Sequence, residues 1–210
     1  MKIPEDLTMK VLEKFADNNM MQLNTAVFSG QKKILELLIS RGMEVNGKIS
    51  DDLGLLQLAA ERGHKEVAEF LIDKGADVNV MCKEGLTPLH SAAVNGHKDV
   101  AKLLVDRGAV IDTKGIIGNT PLFMAAMGGL KEVVELLIEK GAGVNEKNDF
   151  GLTPLHGAAA EGHKDVVKLL IAKGANVNVK SADGSTPLNG AAGMGHKDVV
   201  ELLKKHGARE

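Results

Sequence analysis

Six of the seven histidines occupy two positions of a regular spacing, and histidine is a common zinc ligand and acid–base catalyst. Four of them follow a glycine: His64, His97, His163 and His196. Two follow the triplet Thr-Pro-Leu: His90 and His156. Zinc needs three or four ligands that converge on one point, whereas residues related by a translational repeat lie about 8–10 Å apart, the distance between packed helices. We therefore expect these histidines to be structural and predict no metal site.

The other residue types that carry chemistry also lack the spacing that chemistry requires. The single cysteine, Cys82, excludes an intrachain disulfide and a multi-thiolate zinc site, and at a predicted turn it is a surface thiol rather than a nucleophile. The sequence contains no nucleophile elbow, phosphate-binding glycine loop, His-Glu-x-x-His motif or paired-carboxylate motif. We therefore predict that the protein is not an enzyme and binds no cofactor.

Composition narrows the class of protein further. The chain has 210 residues, of which 44% are apolar and 26% charged, so it can bury a core. A net charge of −2 argues against a nucleic-acid-binding protein, and no apolar run approaches the ~20 residues that span a bilayer. We predict a cytoplasmic protein, because the amino end also lacks the pattern of a secretion signal. The chain has 24 glycines and five phenylalanines but no tryptophan or tyrosine, so its core must consist of many small aliphatic side chains.

The elements that position these residues recur every 33 residues. One glycine recurs at this spacing through the chain: Gly42, Gly75, Gly108, Gly141, Gly174 and Gly207. Thr-Pro-Leu triplets keep the same step and begin at Thr87, Thr120, Thr153 and Thr186. Such self-similarity is the sequence signature of a repeat architecture.

Each repeat predicts a turn followed by two helices. Gly151 permits a tight turn, Thr153 caps a helix, and Pro154 takes the first helical position, where its missing N–H costs nothing. A second, amphipathic helix is predicted from about residue 164 to 173, and Gly174 supplies its left-handed cap. Helices this short are marginal alone, so the units must stack on one another.

The pattern G-x-T-P-L-H-x-A-A-x-x-G-H-x-x-V-V-x-x-L-L-x-x-G-A-x-V-N resembles the ankyrin repeat. The resemblance implies an all-α solenoid with a β-turn finger and two antiparallel helices per repeat, a right-angled section and a concave binding face. It covers residues 1–210 as one domain with six units, which begin near Ala16, Ile49, Cys82, Gly115, Asn148 and Ser181. The first two units lack Thr-Pro-Leu, so we expect poorer helix caps there.

We expect caps at both ends of the array. Residues 1–15 read as a capping helix that covers the first unit, and Lys204 places a charge where the earlier units have Ile or Val, as a terminal cap requires. The array is accordingly expected to be complete.

Two polar columns accompany the repeat. Asn46, Asn79, Asn145 and Asn178, with Asp112 at the fifth position, are expected to bond their own turn backbone. The resemblance implies that the histidines join turns and helices by hydrogen bonds. The lysine column consists of Lys48, Lys114, Lys147 and Lys180. We favour exposed ion pairs with Asp51, Asp149 and Asp183 for these lysines over contact with an acidic partner.

In the family that the sequence resembles, fingertips and exposed ends of the first helices contact partners. At these positions units four and five are apolar where units two and three are mostly polar, and a contiguous apolar cluster usually marks an interaction site. The predicted partner-binding residues are Ile116, Ile117, Asn119, Met127, Asp149, Phe150, Leu152, Leu86 and Val94. The alternative is that Ile116, Ile117 and Phe150 pack among themselves to stiffen adjacent fingers.

The predicted function is therefore a non-catalytic module that binds a protein partner through its concave surface, without nucleic acid or membrane. A monomer is expected, and a homodimer through the apolar fingers is the alternative. Two other functions remain open: an engineered or consensus-like scaffold without a natural partner, which the near-identical His-Lys-Asp-Val segments favour, and a regulatory subunit of an enzyme. The irregular first units favour a natural gene.

Overall fold

The structure is a computed structural model that describes residues 19–47 and 53–209. The capping helix predicted over residues 1–15, the starts of units one and two, and the fingertip at Ser50 and Asp51 lie outside the described residues.

The described residues form a row of α-helices and contain no strand. In residues 19–47 and 53–209, twelve α-helices follow one another as six pairs. The first helices of the pairs are α1 (Asn19–Phe28), α3 (Leu55–Arg62), α5 (Pro88–Val94), α7 (Pro121–Met127), α9 (Pro154–Ala160) and α11 (Pro187–Gly193). The second helices are α2 (Lys32–Ser40), α4 (Lys65–Asp73), α6 (Lys98–Asp106), α8 (Lys131–Glu139), α10 (Lys164–Ala172) and α12 (Lys197–Lys205).

Side chains of the Thr-Pro-Leu element define where the first helices begin. In α5 the Nδ1 atom of His90 accepts the backbone N–H of Thr87 at 3.1 Å, and the same capping box occurs at Thr153 and His156. Helix α3 begins after Gly54 with no side-chain cap, as its irregular sequence predicts. The cap therefore depends on the residues that the regular units share.

The helices pack in two layers around one continuous core. Each first helix contacts the first helices on either side and its own partner, while the second helices form the other layer. The leucine of each Thr-Pro-Leu triplet is fully or almost fully buried, as in Leu89 and Leu155, and the Ala-Ala pairs of α3, α5, α7 and α9 are completely buried. Full burial of one leucine contributes about 1.5–3 kcal/mol, so stacking supplies the stability that each short helix lacks.

The asparagine column joins neighbouring units, which differs from the prediction that each asparagine bonds its own turn. Asn145 is typical: its Nδ2 donates to the Gly174 carbonyl at 3.1 Å and its Oδ1 accepts the Asn176 N–H at 2.9 Å. The equivalent Asp112 accepts the Gly143 N–H but has no amide to donate. Burial raises the pKa of the Asp112 carboxyl, with a smaller contribution from the nearby Glu146.

The Gly-His histidines also join neighbouring units. The Nε2 of His163 donates to the Met127 carbonyl at 2.9 Å, and its ring packs against Gly129 so closely that an added Cβ there would lie 2.6 Å from Nδ1. His64, His97 and His196 make the same bond to the preceding unit. The implied structural role of these histidines is thus realised as contacts between units.

The lysine column does not form the expected ion pairs with Asp149 and Asp183 among the described residues. Lys114 donates to the Lys147 carbonyl at 2.9 Å, and Lys147 donates to the Lys180 carbonyl at 3.1 Å. A lysine can reach the next unit because the repeat aligns the units, and Lys114 Nζ also lies 3.9 Å from Glu146 Oε2.

Within the described residues, no helix has the length and apolar character needed to cross a membrane. In the same part of the chain, no group of three or more His, Cys, Asp or Glu side chains is arranged to hold a metal ion.

Candidate partner-binding surface

The fingertips of units four and five carry the apolar side chains that the sequence singles out. Ile116 is 48% exposed, Ile117 46% and Phe150 54%, while Met127 at the end of α7 is 39% exposed. Since about half of each side chain stays open, mutual packing leaves a large part of the cluster accessible to another molecule. We call these four residues the apolar finger cluster.

Backbone hydrogen bonds between fingertips hold this cluster in a fixed row. The Asp149 N–H donates to the Ile117 carbonyl at 3.1 Å, and the Ala182 N–H donates to the Phe150 carbonyl at 2.8 Å. The tips of fingers four, five and six are therefore connected to one another as well as to their own helices.

Finger four has an unusual backbone at its tip. Ile117 has a φ of +52°, in the left-handed region that β-branched residues rarely adopt. In finger five, the Oδ1 of Asn148 accepts the N–H groups of Phe150 and Leu152 and so fixes the turn. Finger four has Gly115 in place of this asparagine.

Packing against unit three favours a glycine at position 115. A Cβ at Gly115 would lie 2.8 Å from Leu86 Cδ2 and 3.2 Å from His90 Nε2. Finger four therefore lacks the asparagine side chain that fixes the turn of finger five, and its strained, left-handed backbone lies at the exposed Ile117. Strained backbone that persists at an exposed position is typical of functional sites.

The remaining predicted residues fall into two groups. Val94 and Asp149 are exposed, while Leu86 and Leu152 are half-buried beside the fingers. Asn119 differs from the others because it is only 8% exposed. Its carbonyl accepts the Nε2–H of His90 at 3.1 Å and its Oδ1 accepts an N–H of Asn148 at 2.9 Å, so it serves to connect units.

A recess beside the apolar finger cluster was missed by the sequence reasoning. It has a volume of about 310 Å³ and lies between the first helices of units four, five and six. Phe123, Met127, Leu152 and Ala160 supply much of its apolar lining, with Glu161 at one side. The sequence signal for the recess is a glycine four residues after the capping threonine in units five and six, at Gly157 and Gly190. The equivalent residue is Ser91 in unit three and Met124 in unit four.

A second recess, of about 350 Å³, lies between units two and three and is more strongly charged. Glu61, Lys83 and Glu84 line it together with the half-buried Cys82. Leu53 and Leu86 add apolar side chains to this second recess, which therefore mixes charged and apolar groups.

Exposed ion pairs with short distances lie on the second helices and their ends. Hydrogen bonds from Lys102 at 2.7 Å and Lys140 at 2.6 Å lower the pKa of the Asp106 carboxyl to about 2. Arg107 reaches back to Asp73 of the preceding unit at 2.6 Å. These pairs join α4, α6 and α8.

The two buried histidines are held neutral by their surroundings. Burial lowers the pKa of His90 and of His156. In each ring Nδ1 accepts an N–H from the capping threonine, and Nε2 therefore carries the proton and donates to the next unit. Both nitrogens are engaged, so neither histidine is arranged as an acid–base catalyst.

Stacked helix pairs, connected fingers and bridging side chains together define a helical-repeat solenoid. A family model that describes three copies of the ankyrin repeat matches residues 23–115 and again residues 122–210. The chain belongs to the ankyrin-repeat family. Ankyrin repeats are in general protein–protein interaction modules and are typically non-catalytic. No curated protein matches the sequence.

Proposed function

We propose that this protein is a non-catalytic binding module that holds a protein partner on its concave side, against the apolar finger cluster. The observation that carries the proposal is the exposure of Ile116, Ile117 and Phe150 on fingertips that backbone hydrogen bonds connect. Asp149, Leu152, Leu86 and Val94 extend the proposed surface, and the buried Asn119 acts beneath it.

The physical basis of the proposal is a surface that is formed before the partner arrives. Connected fingertips have little conformational entropy left to lose, so association costs less than it would for a flexible loop. Affinity at protein interfaces is concentrated in a few well-packed side chains, and large apolar anchors are suited to this role. We expect Ile117, Phe150 and Met127 to contribute most.

The test uses a display library of random twelve-residue peptides selected against the wild-type protein. Binders are then measured against the double variant Ile117→Asp/Phe150→Asp, for which we expect at least a tenfold rise in Kd, or about 1.4 kcal/mol. Val110→Asp is the matched control, because Val110 is 57% exposed and lies outside the proposed surface. Equal affinity for the double variant and for the wild type, with the fold retained in both, would refute the proposed surface.

We further propose a cytoplasmic, monomeric protein. The single cysteine supports a reducing compartment, since secreted domains of modest size commonly carry disulfides. Sedimentation of the wild type and of the double variant tests the alternative, a homodimer through the apolar fingers. A dimer that dissociates in the double variant would make a second copy of the chain the partner.

A further inference from the structure

The recess beside the apolar finger cluster exists because two helix positions lack side chains. Gly157 in α9 and Gly190 in α11 line it at the position where α3 has Leu58 and α7 has Met124. A glycine inside a helix costs about 1 kcal/mol relative to alanine. Two such residues next to each other on the concave side therefore call for a physical reason.

Packing inside the protein explains one of these glycines and leaves the other unexplained. A Cβ at Gly157 would lie 3.3 Å from the Cβ of Met127, which is a tight contact. A Cβ at Gly190 would have Ala160 Cβ as its nearest neighbour at 3.6 Å, which is ordinary van der Waals contact. The fold could accept a side chain at position 190, and its absence keeps the recess open.

The walls of the recess are suited to a hydrocarbon group. Phe123 stands where units three and five have histidine, and its Cζ would be 3.6 Å from a Cβ at Gly157. Met127, which belongs to the apolar finger cluster, and Leu152 continue the apolar lining toward the fingers. The volume of about 310 Å³ is at the lower end of the ~300–1,000 Å³ range of small-ligand sites, and it suits a single large side chain better than a whole metabolite.

Among the side chains that line the recess, Glu161 carries a negative charge. Glu161 lines the recess at the end of α9, is exposed, and has no ion-pair partner in the part of the chain that the structure describes. Asp183 stands on the adjacent finger, where Ser181 Oγ and the Ser185 N–H bind its carboxylate. The nearby Lys147 donates its Nζ to the Lys180 carbonyl.

We infer that this recess takes one large apolar side chain of a partner segment, and that a lysine or arginine next to that side chain contacts Glu161. The inference rests on the proposed function and specifies its partner: an extended or helical segment with an apolar anchor and an adjacent basic residue. Gly190 is the residue that admits the anchor, and the apolar finger cluster contacts the remainder of the segment.

Filling the recess tests the inference on peptides from the random twelve-residue display library. Gly190→Leu places a side chain in the recess and is expected to raise the Kd of the selected peptides at least tenfold. Gly193→Leu is the matched control, since Gly193 ends the same helix, does not line the recess, and has no atom within 4 Å of its Cβ position. Fluorescence anisotropy with labelled peptides measures both, and we expect the control to stay within about twofold of the wild type.

Two further variants give independent readouts. Glu161→Lys is expected to weaken binding several-fold at low salt and less at high salt, because exposed ion pairs are screened. Gly190→Ala fills less of the recess and raises helix propensity, so it keeps the test valid if Gly190→Leu does not fold. We expect a smaller rise in Kd for Gly190→Ala than for Gly190→Leu.

The possible outcomes separate this inference from the proposed function. Peptides that share an apolar residue beside a basic one, and that lose affinity for Gly190→Leu but not for the control Gly193→Leu, support it. Peptides that lose affinity for Ile117→Asp/Phe150→Asp but bind Gly190→Leu like the wild type overturn the inference and leave the proposed function standing. Selection that yields no binder to the wild type overturns both.

Discussion

Replacing Gly129 with alanine tests whether a histidine–glycine contact holds neighbouring units together. Gly129 has a φ of +70°, so alanine at this position costs about 1–2 kcal/mol of backbone strain. Its Cβ would also lie 2.6 Å from the Nδ1 of His163, so the ring must move away. Movement of the ring breaks the 2.9 Å hydrogen bond to the Met127 carbonyl, which contributes about 1 kcal/mol. The expected total loss of unfolding free energy is about 2–3 kcal/mol.

Gly195 provides the matched control for backbone strain. It has a φ of +80° and precedes His196 as Gly129 precedes Leu130, but a Cβ at Gly195 would have no atom within 4 Å. Gly195→Ala should therefore lose only the strain, about 1–2 kcal/mol. The difference between the two variants measures the contact between units.

A double-mutant cycle with His163→Ala completes the test. Once the ring is absent, the methyl group of Gly129→Ala has nothing to displace, so the two losses should fall short of additivity by about 1 kcal/mol. Equilibrium urea unfolding followed by circular dichroism at constant m-value gives each free energy. Additive losses, or a Gly195→Ala variant as unstable as Gly129→Ala, would refute the assigned contact.

Three further predictions concern individual side chains. Asp112→Asn supplies the amide N–H that the asparagines of its column donate to the next unit, so it should raise the unfolding free energy by about 0.5–1.5 kcal/mol. Urea unfolding measures this change, and a loss of stability would contradict the assigned bridge. Burial lowers the pKa values of His90 and His156, so below the unfolded-state histidine pKa of about 6.5 the unfolded chain binds more protons than the folded one, and stability should fall from pH 7 toward pH 5. The double variant His90→Gln/His156→Gln should flatten this dependence, since Gln57 already makes the equivalent bond in unit two. An unchanged pH profile of the unfolding free energy would contradict this assignment. Ile117→Gly should relieve the left-handed strain and raise stability by about 0.5–1 kcal/mol in thermal or urea unfolding while it weakens peptide binding, and lower stability would mean that the tip is not strained.

Much of the fold follows from local chemistry that a sequence displays directly. The predicted second helix over residues 164 to 173 is observed as Lys164–Ala172, because glycine and the apolar spacing specify its end and its buried face. The Thr-Pro start of α9 is equally local. Such features depend on residues within a few positions of one another.

Contacts between units were harder to predict, since they depend on how far apart the stacked turns lie. The asparagines reach residues 29 and 31 positions further along the chain, which no local rule for turns anticipates. The position of Asn119 in the finger predicts an exposed side chain, yet it bonds Asn148 of the next unit and is only 8% exposed. The recess also escaped prediction because it consists of missing side chains, at Gly157 and Gly190.

The most direct test of the proposed binding function is amide hydrogen exchange of the protein with and without a peptide from the display selection. We predict slower exchange on binding at residues 115–127 and 149–161 and no change in α6, α8 and α10. Protection confined to those second helices, with the fingers unaffected, would contradict the proposed function.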